Sequence, residues 1–191
     1  MYGLSRRLSK PIRQIGCVLL SLFPVLVILG NILHAEHASD AARAERQCIS
    51  NCKQLGFGML QYAQDWDETL PPSSQWATAI EKQIPKAEVW HCPAATLPYS
   101  YACSKEAGNL ALSNVYAPAT TVLLFEMDAT IKNASGGPQD IVKSRRHFSD
   151  GNNYGLMDGH VKWVSDRGVI NLRWQPMASD VPPPSASPTH P

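Results

Sequence analysis

An uncharged run from Ile15 to Leu33 (IGCVLLSLFPVLVILGNIL) follows Arg6, Arg7, Lys10 and Arg13, and no acid precedes it. As an α-helix the run extends roughly 28 Å at 1.5 Å per residue, close to the apolar thickness of a bilayer. Pro24 can bend such a helix, which membranes tolerate when neighbouring groups satisfy the freed carbonyl. The basic residues on the N-terminal side orient it: residues 1–14 form a cytoplasmic segment, 15–33 a transmembrane helix, and the chain from about His34 lies outside. The alternative is a cleaved signal peptide, with small residues such as Ala35 or Ala44 near the cut. Secretory apolar cores usually run only about 7 to 15 residues, so the length favours a retained anchor in the inner membrane.

The 191 residues leave room beyond that anchor for one modest domain, assigned to residues 34–175. A net charge of +1 offers no basic face to neutralise phosphates, so nucleic acid is not expected as a partner. Within the domain, Cys48, Cys52, Leu55, Met59, Tyr62 and Trp66 recur at spacings of 4, 3, 4, 3 and 4, which is one face of a helix. Asp65 to Glu68 and then Leu70-Pro71-Pro72 end it. A short helix is expected over Gln75 to Ile84. Strands are expected at Val89 to Cys92, Tyr99 to Cys103, Thr121 to Glu126, Asn153 to Met157 and His160 to Val164, with a loop over Lys132 to Gln139. Asp158-Gly159 reads as a two-residue hairpin turn pairing Leu156 with Val161. The stretch 176–191 (PMASDVPPPSASPTHP) is poor in core formers and reads as disordered. The fold class is α+β: a long N-terminal helix, membrane-spanning and then amphipathic, packed on a small antiparallel sheet.

Outside the apolar run stand Cys48, Cys52, Cys92 and Cys103, an even number in a domain expected in an oxidising compartment. Disulfides are favoured, with three connectivities open, and Cys92 with Cys103 closes the shortest loop between strands. A zinc site built from the same four thiols is the alternative, although no Cys-x-x-Cys is present.

His147, Asp158 and His160 combine imidazole and carboxylate donors that suit zinc or manganese. A structural role fits them better, because Asp158 tolerates a turn and Gly159 supplies positive φ, while Val161 and Trp163 alternate with His160 and Lys162 to pack one strand face on the helix. Calcium at Asp128, Asp140, Asp150 or Asp158 has no supporting ligand spacing. No Gly-x-Ser-x-Gly, Walker loop or His-Glu-x-x-His occurs, so no catalytic residue, metal or cofactor is assigned and the chain reads as a non-enzyme.

Four blocks together resemble the bacterial type II secretion pseudopilin-like proteins that carry a C-terminal His-x(about nine)-Asp-Gly motif. They are Ala44 to Gly56 (AERQCISNCKQLG), Tyr62 to Pro72 (YAQDWDETLPP), Val89 to Pro93 (VWHCP), and Arg146-His147 through Asp158-Gly159-His160-Val161-Lys162-Trp163. Pro118 to Glu126 is similar to the family's central strand. The chain has Gly16-Cys17-Val18-Leu19-Leu20 where prepilin-like members open with Gly-Phe-Thr-Leu-Ile-Glu, and ten residues in place of nine separate His147 from Asp158. The resemblance implies a pilin-like fold and a membrane-anchored structural or assembly subunit that works through contacts with other envelope or pseudopilus subunits. A membrane-tethered glycan-binding module is the second reading, motivated by Trp76, Trp90, Trp163 and Trp174. A metal-dependent hydrolase resting on the histidine and aspartate residues is the third.

Overall fold

The computed structural model describes residues 10–142, 146 and 150–176, and of residues 10–23 and 37 the backbone only. His147 and nearly all of the 176–191 stretch lie outside the described residues. The chain divides into two compact units, Met1–Ala42 and Arg43–Pro191.

In the first unit the described backbone is helical, the beginning of α1 (Lys10–Asp65). Val25, Leu26, Val27, Ile28, Leu29, Ile32 and Leu33 are all exposed, and consecutive residues point to every side of a helix. Among the described residues no helix is long and apolar enough to cross a membrane. Residues 15–23, the first part of the Ile15 to Leu33 run, are described by backbone alone.

The second unit is α+β. The C-terminal part of α1 packs on a five-stranded sheet of order β3-β1-β2-β4-β5, formed by β1 (Tyr99–Ser104), β2 (Val122–Ala129), β3 (Ser135–Gly136), β4 (Gly151–Leu156) and β5 (Val161–Ser165). The sheet is mixed, not purely antiparallel, because β3 runs parallel to β1 inside the stretch expected to be a loop. Two residues carry too little pattern to announce a strand.

Cys48, Cys52, Leu55 and Met59 are fully buried on the α1 face toward the sheet, as their period demands. The stripe stops earlier than the spacing implies: Ala63 is its last buried member and Trp66 is 61% exposed, stacked on Tyr62 at 5.5 Å. Gly155 of β4 explains how closely the helix approaches, since a Cβ there would sit 3.3 Å from Cys52 Sγ.

Only Trp76–Ala79 of the expected Gln75 to Ile84 helix is α-helical (α2), and the chain continues in tighter turns through Glu81 N–H to Thr78 O and Gln83 N–H to Ile80 O. Trp76, Ile80 and Ile84 are nonetheless buried, as their fourfold spacing implies. Val89 to Cys92 is no strand: Ala87–Trp90 forms a 3-10 turn tied to α1 from the side.

The hairpin differs from expectation by one residue of register. Gly155, not Leu156, pairs with Val161, and Leu156 N–H donates to His160 O at 2.8 Å. Met157, Asp158 and Gly159 therefore make a three-residue connection, closed by Gly159 N–H to Leu156 O, with Gly159 at φ +86°. Positive φ at this glycine is as the sequence implies, and the longer loop is a common hairpin form. Val161 still turns to the cluster that holds Cys52, Leu55 and Met59 of α1, as expected, opposite Gly155. Val164 is buried with Phe125, Tyr154 and Leu156 on the sheet face away from α1, while Trp163 is 40% exposed and does not anchor the core.

Candidate functional site

The second unit's interior contains a polar layer between α1 and the sheet, which an apolar stripe alone would not foretell. Its centre is Glu126 on β2, fully buried. The carboxylate accepts the Asn153 N–H at 2.8 Å. Asn153 on β4 is likewise fully buried, and neither polar atom of its side-chain amide has a hydrogen-bond partner among the described residues. A buried amide without partners is uncommon, because its desolvation goes uncompensated.

Above the carboxylate, Cys48 on α1 is joined to Cys92 by a disulfide spanning 44 residues. The bond fastens the segment after the 3-10 turn to the helix. Asn51 reinforces the attachment one turn along, its Nδ2 donating to Glu88 O at 3.3 Å and His91 O at 2.9 Å. Cys92 N–H donates to Ser100 Oγ at 2.8 Å, and Tyr101 OH donates to Cys48 O at 3.3 Å. Arg146, mostly buried, donates to Ser100 O and pairs with Asp128.

Cys52 and Cys103 are free thiols, both buried. Burial first, and then the negative Glu126, push the Cys52 thiol far up from its usual range. Cys103 is raised by burial alone. Tyr101 is also held well above its usual range, first by burial, then by the charges of Cys52 and Glu126. These groups stay protonated at neutral pH, so the layer contains no thiolate nucleophile. The expected disulfide thus exists between helix and turn, not between Cys92 and Cys103, because the 3-10 turn places Cys92 against α1.

No family model, curated protein or solved structure matches this chain. Its functional reading therefore rests on its own residues and geometry.

Asp158 and His160 are not brought into this layer. Asp158 and His160 sit at the hairpin tip, where Asp158 Oδ1 accepts the His160 N–H at 3.0 Å and Oδ2 lies 2.9 Å from His160 Nδ1. The His160 side chain is 82% exposed. This local clasp orders the turn. Of the acids weighed for calcium, Asp128 is engaged by Arg146, Asp140 by Gly137 N–H and Gln139, and Asp158 by His160.

The tryptophans divide in the same manner. Trp76 is fully buried with Nε1 donating to Ala134 O at 2.8 Å, and it meets Trp90 at 5.8 Å. Trp174 is half-buried and packs edge-on against Phe125 at 5.1 Å. These three pack into the core, while Trp163 on β5 is 40% exposed. Sequence reasoning missed Glu126, Asn153, Asn51 and Arg146 as a group. The one available signal was Glu126 itself, an acid at the end of the apolar Thr121 to Phe125 run.

Proposed function

We propose that this chain is a membrane-anchored structural or assembly subunit of pseudopilin type at the cell envelope, acting through contacts with neighbouring envelope subunits. The observation that carries the reading is the exposed apolar girdle from Val25 to Leu33 on α1. A helix apolar on all sides needs a non-aqueous surrounding, and the basic residues before it favour an N-terminus held in the cytoplasm. The Cys48–Cys92 bond supports the same placement of the second unit, since such bonds persist in oxidising compartments. The α+β architecture, with a helix laid along a sheet, suits a rigid body presented by an anchor. A catalytic role draws no support from the interior thiols, which are buried and protonated.

The test is a reporter joined after Pro191 in the full chain. An exported reporter that stays in the membrane fraction at full length agrees with the proposal. Release of a shorter soluble product would identify the apolar run as a cleaved signal and refute the anchor. Crosslinking from Trp66 or Phe57, both exposed on α1, should then capture a neighbouring envelope subunit.

A further inference from the structure

The polar layer holds an arrangement that anchoring does not require. Cys48 Sγ, Cys92 Sγ and a carboxylate oxygen of Glu126 lie within 4.8 Å of one another, with all three residues fully buried. Glu126 accepts the Asn153 N–H beside these sulfurs. Once the disulfide is reduced, its two thiolates and the carboxylate form a donor set that a divalent cation satisfies jointly. A second observation points the same way: Asn153, whose backbone N–H holds Glu126, is fully buried, and neither polar atom of its side-chain amide has a hydrogen-bond partner among the described residues.

We propose that when the Cys48–Cys92 bond is reduced, Cys48, Cys92 and Glu126 bind a zinc-type divalent cation, with the fourth coordination position turned toward the Asn153 amide. Reduction breaks the S–S bond with two electrons and two protons from a dithiol, which leaves as its own disulfide. The cation then displaces the two thiol protons to water. Sulfur donors with one carboxylate select zinc over calcium or magnesium, which take oxygen ligands. The three anionic ligands exceed the cation's charge by one. Arg146, already paired with Asp128, donates to Ser100 O, and the Ser100 hydroxyl receives the Cys92 N–H. Cys52 packs against Gly155 and stays outside the ligand set, as does Cys103. The same pair of sulfurs thus alternates between a cross-link and a metal clip, and either one fastens the turn to the helix.

The experiment titrates the full-length chain with Co2+ and then Zn2+, once oxidised and once after reduction by a water-soluble phosphine, with circular dichroism recorded in parallel. The reduced chain should bind one Co2+ with an intense thiolate-to-metal absorption that Zn2+ removes, and the oxidised chain should show none. Cys92→Ser should abolish that absorption, and Cys103→Ser should leave the titration unchanged. Glu126→Gln should weaken binding by about tenfold or more, the loss seen even when an outer-shell partner is removed. Absence of the thiolate band in the reduced chain would overturn the proposal, as would equal affinity in Glu126→Gln. If reduction unfolds the chain, recovery of the dichroism by Zn2+ in the natural sequence but not in Glu126→Gln supports the site. Recovery in both, or in neither, refutes it.

Discussion

The backbone N–H of Asn153 donates to the Glu126 carboxylate at 2.8 Å between two strands, inside a layer with no solvent access. The acid is therefore part of the packing between α1 and the sheet. Glu126→Ala removes the acceptor and leaves the Asn153 donor buried without a partner. Leaving a buried neutral donor unsatisfied costs about 1 to 3 kcal/mol. Thermal unfolding should show a large loss for Glu126→Ala, and a clearly smaller one for Glu126→Gln, which retains an oxygen acceptor. Equal losses would show that the carboxylate's hydrogen bond contributes little.

The disulfide connectivity has a direct chemical readout. Non-reducing peptide mapping should recover one cross-linked peptide pair containing Cys48 and Cys92. Cys52 and Cys103 should take up an alkylating reagent only after denaturation, because both are buried. Cys92→Ala should lower stability by about 2 to 4 kcal/mol, the usual contribution of a native cross-link. A Cys92–Cys103 peptide would contradict the position of the 3-10 turn.

At the hairpin tip, Gly159→Val should be more damaging than Trp163→Ala. Valine at φ +86° is strained, and its Cβ would lie 3.1 Å from Leu60 on α1. Trp163 is 40% exposed, so truncation removes only part of a buried surface. Asp158→Ala should cost about 1 kcal/mol through loss of the bond to the His160 N–H, and His160→Ala less, its ring being mostly in solvent. Urea midpoints of the four variants would rank them. A larger loss from Trp163→Ala than from Gly159→Val would sink this account of the hairpin.

Alkaline pH should loosen the domain through its buried thiols. In the folded chain Cys52 is raised above the usual 9.0, chiefly by burial and then by Glu126. As pH passes 9.0 the unfolded chain releases this proton while the folded chain keeps it. The unfolded state then binds fewer protons, and stability falls as pH rises. Below 9.0 the contribution is fully present and constant. Urea unfolding should give a flat midpoint from neutral pH to about 9 and a decline above it, with a shallower decline in Cys52→Ala. An unchanged slope in that variant would remove Cys52 as a cause.

Period and composition made some features legible along the chain. The 3.6-residue recurrence of Cys48, Cys52, Leu55 and Met59 specified a helix with one buried face, because a helix can hide apolar groups only at that spacing. Thr121 to Glu126 and Tyr99 to Cys103 announced central strands through continuous apolar and aromatic residues, and Gly159 announced a positive φ. Even the existence of a disulfide followed from four cysteines beyond a basic-flanked apolar run.

What the sequence could not contain was the set of distances between segments far apart in the chain. Cys92 reads as part of a strand until Asn51 holds the Glu88 and His91 carbonyls and turns that segment against α1. The hairpin register differed by one residue, and only packing decided that Val161 meets the helix-side cluster, that Val164 is buried on the opposite face and that Trp163 stays 40% exposed. Glu126 looked like the polar end of a strand. Only when β2, β4 and α1 close over one another does that carboxylate meet Asn153 and the Cys48–Cys92 sulfurs, since burial and electrostatic partnership are properties of packed surfaces and not of local spacing.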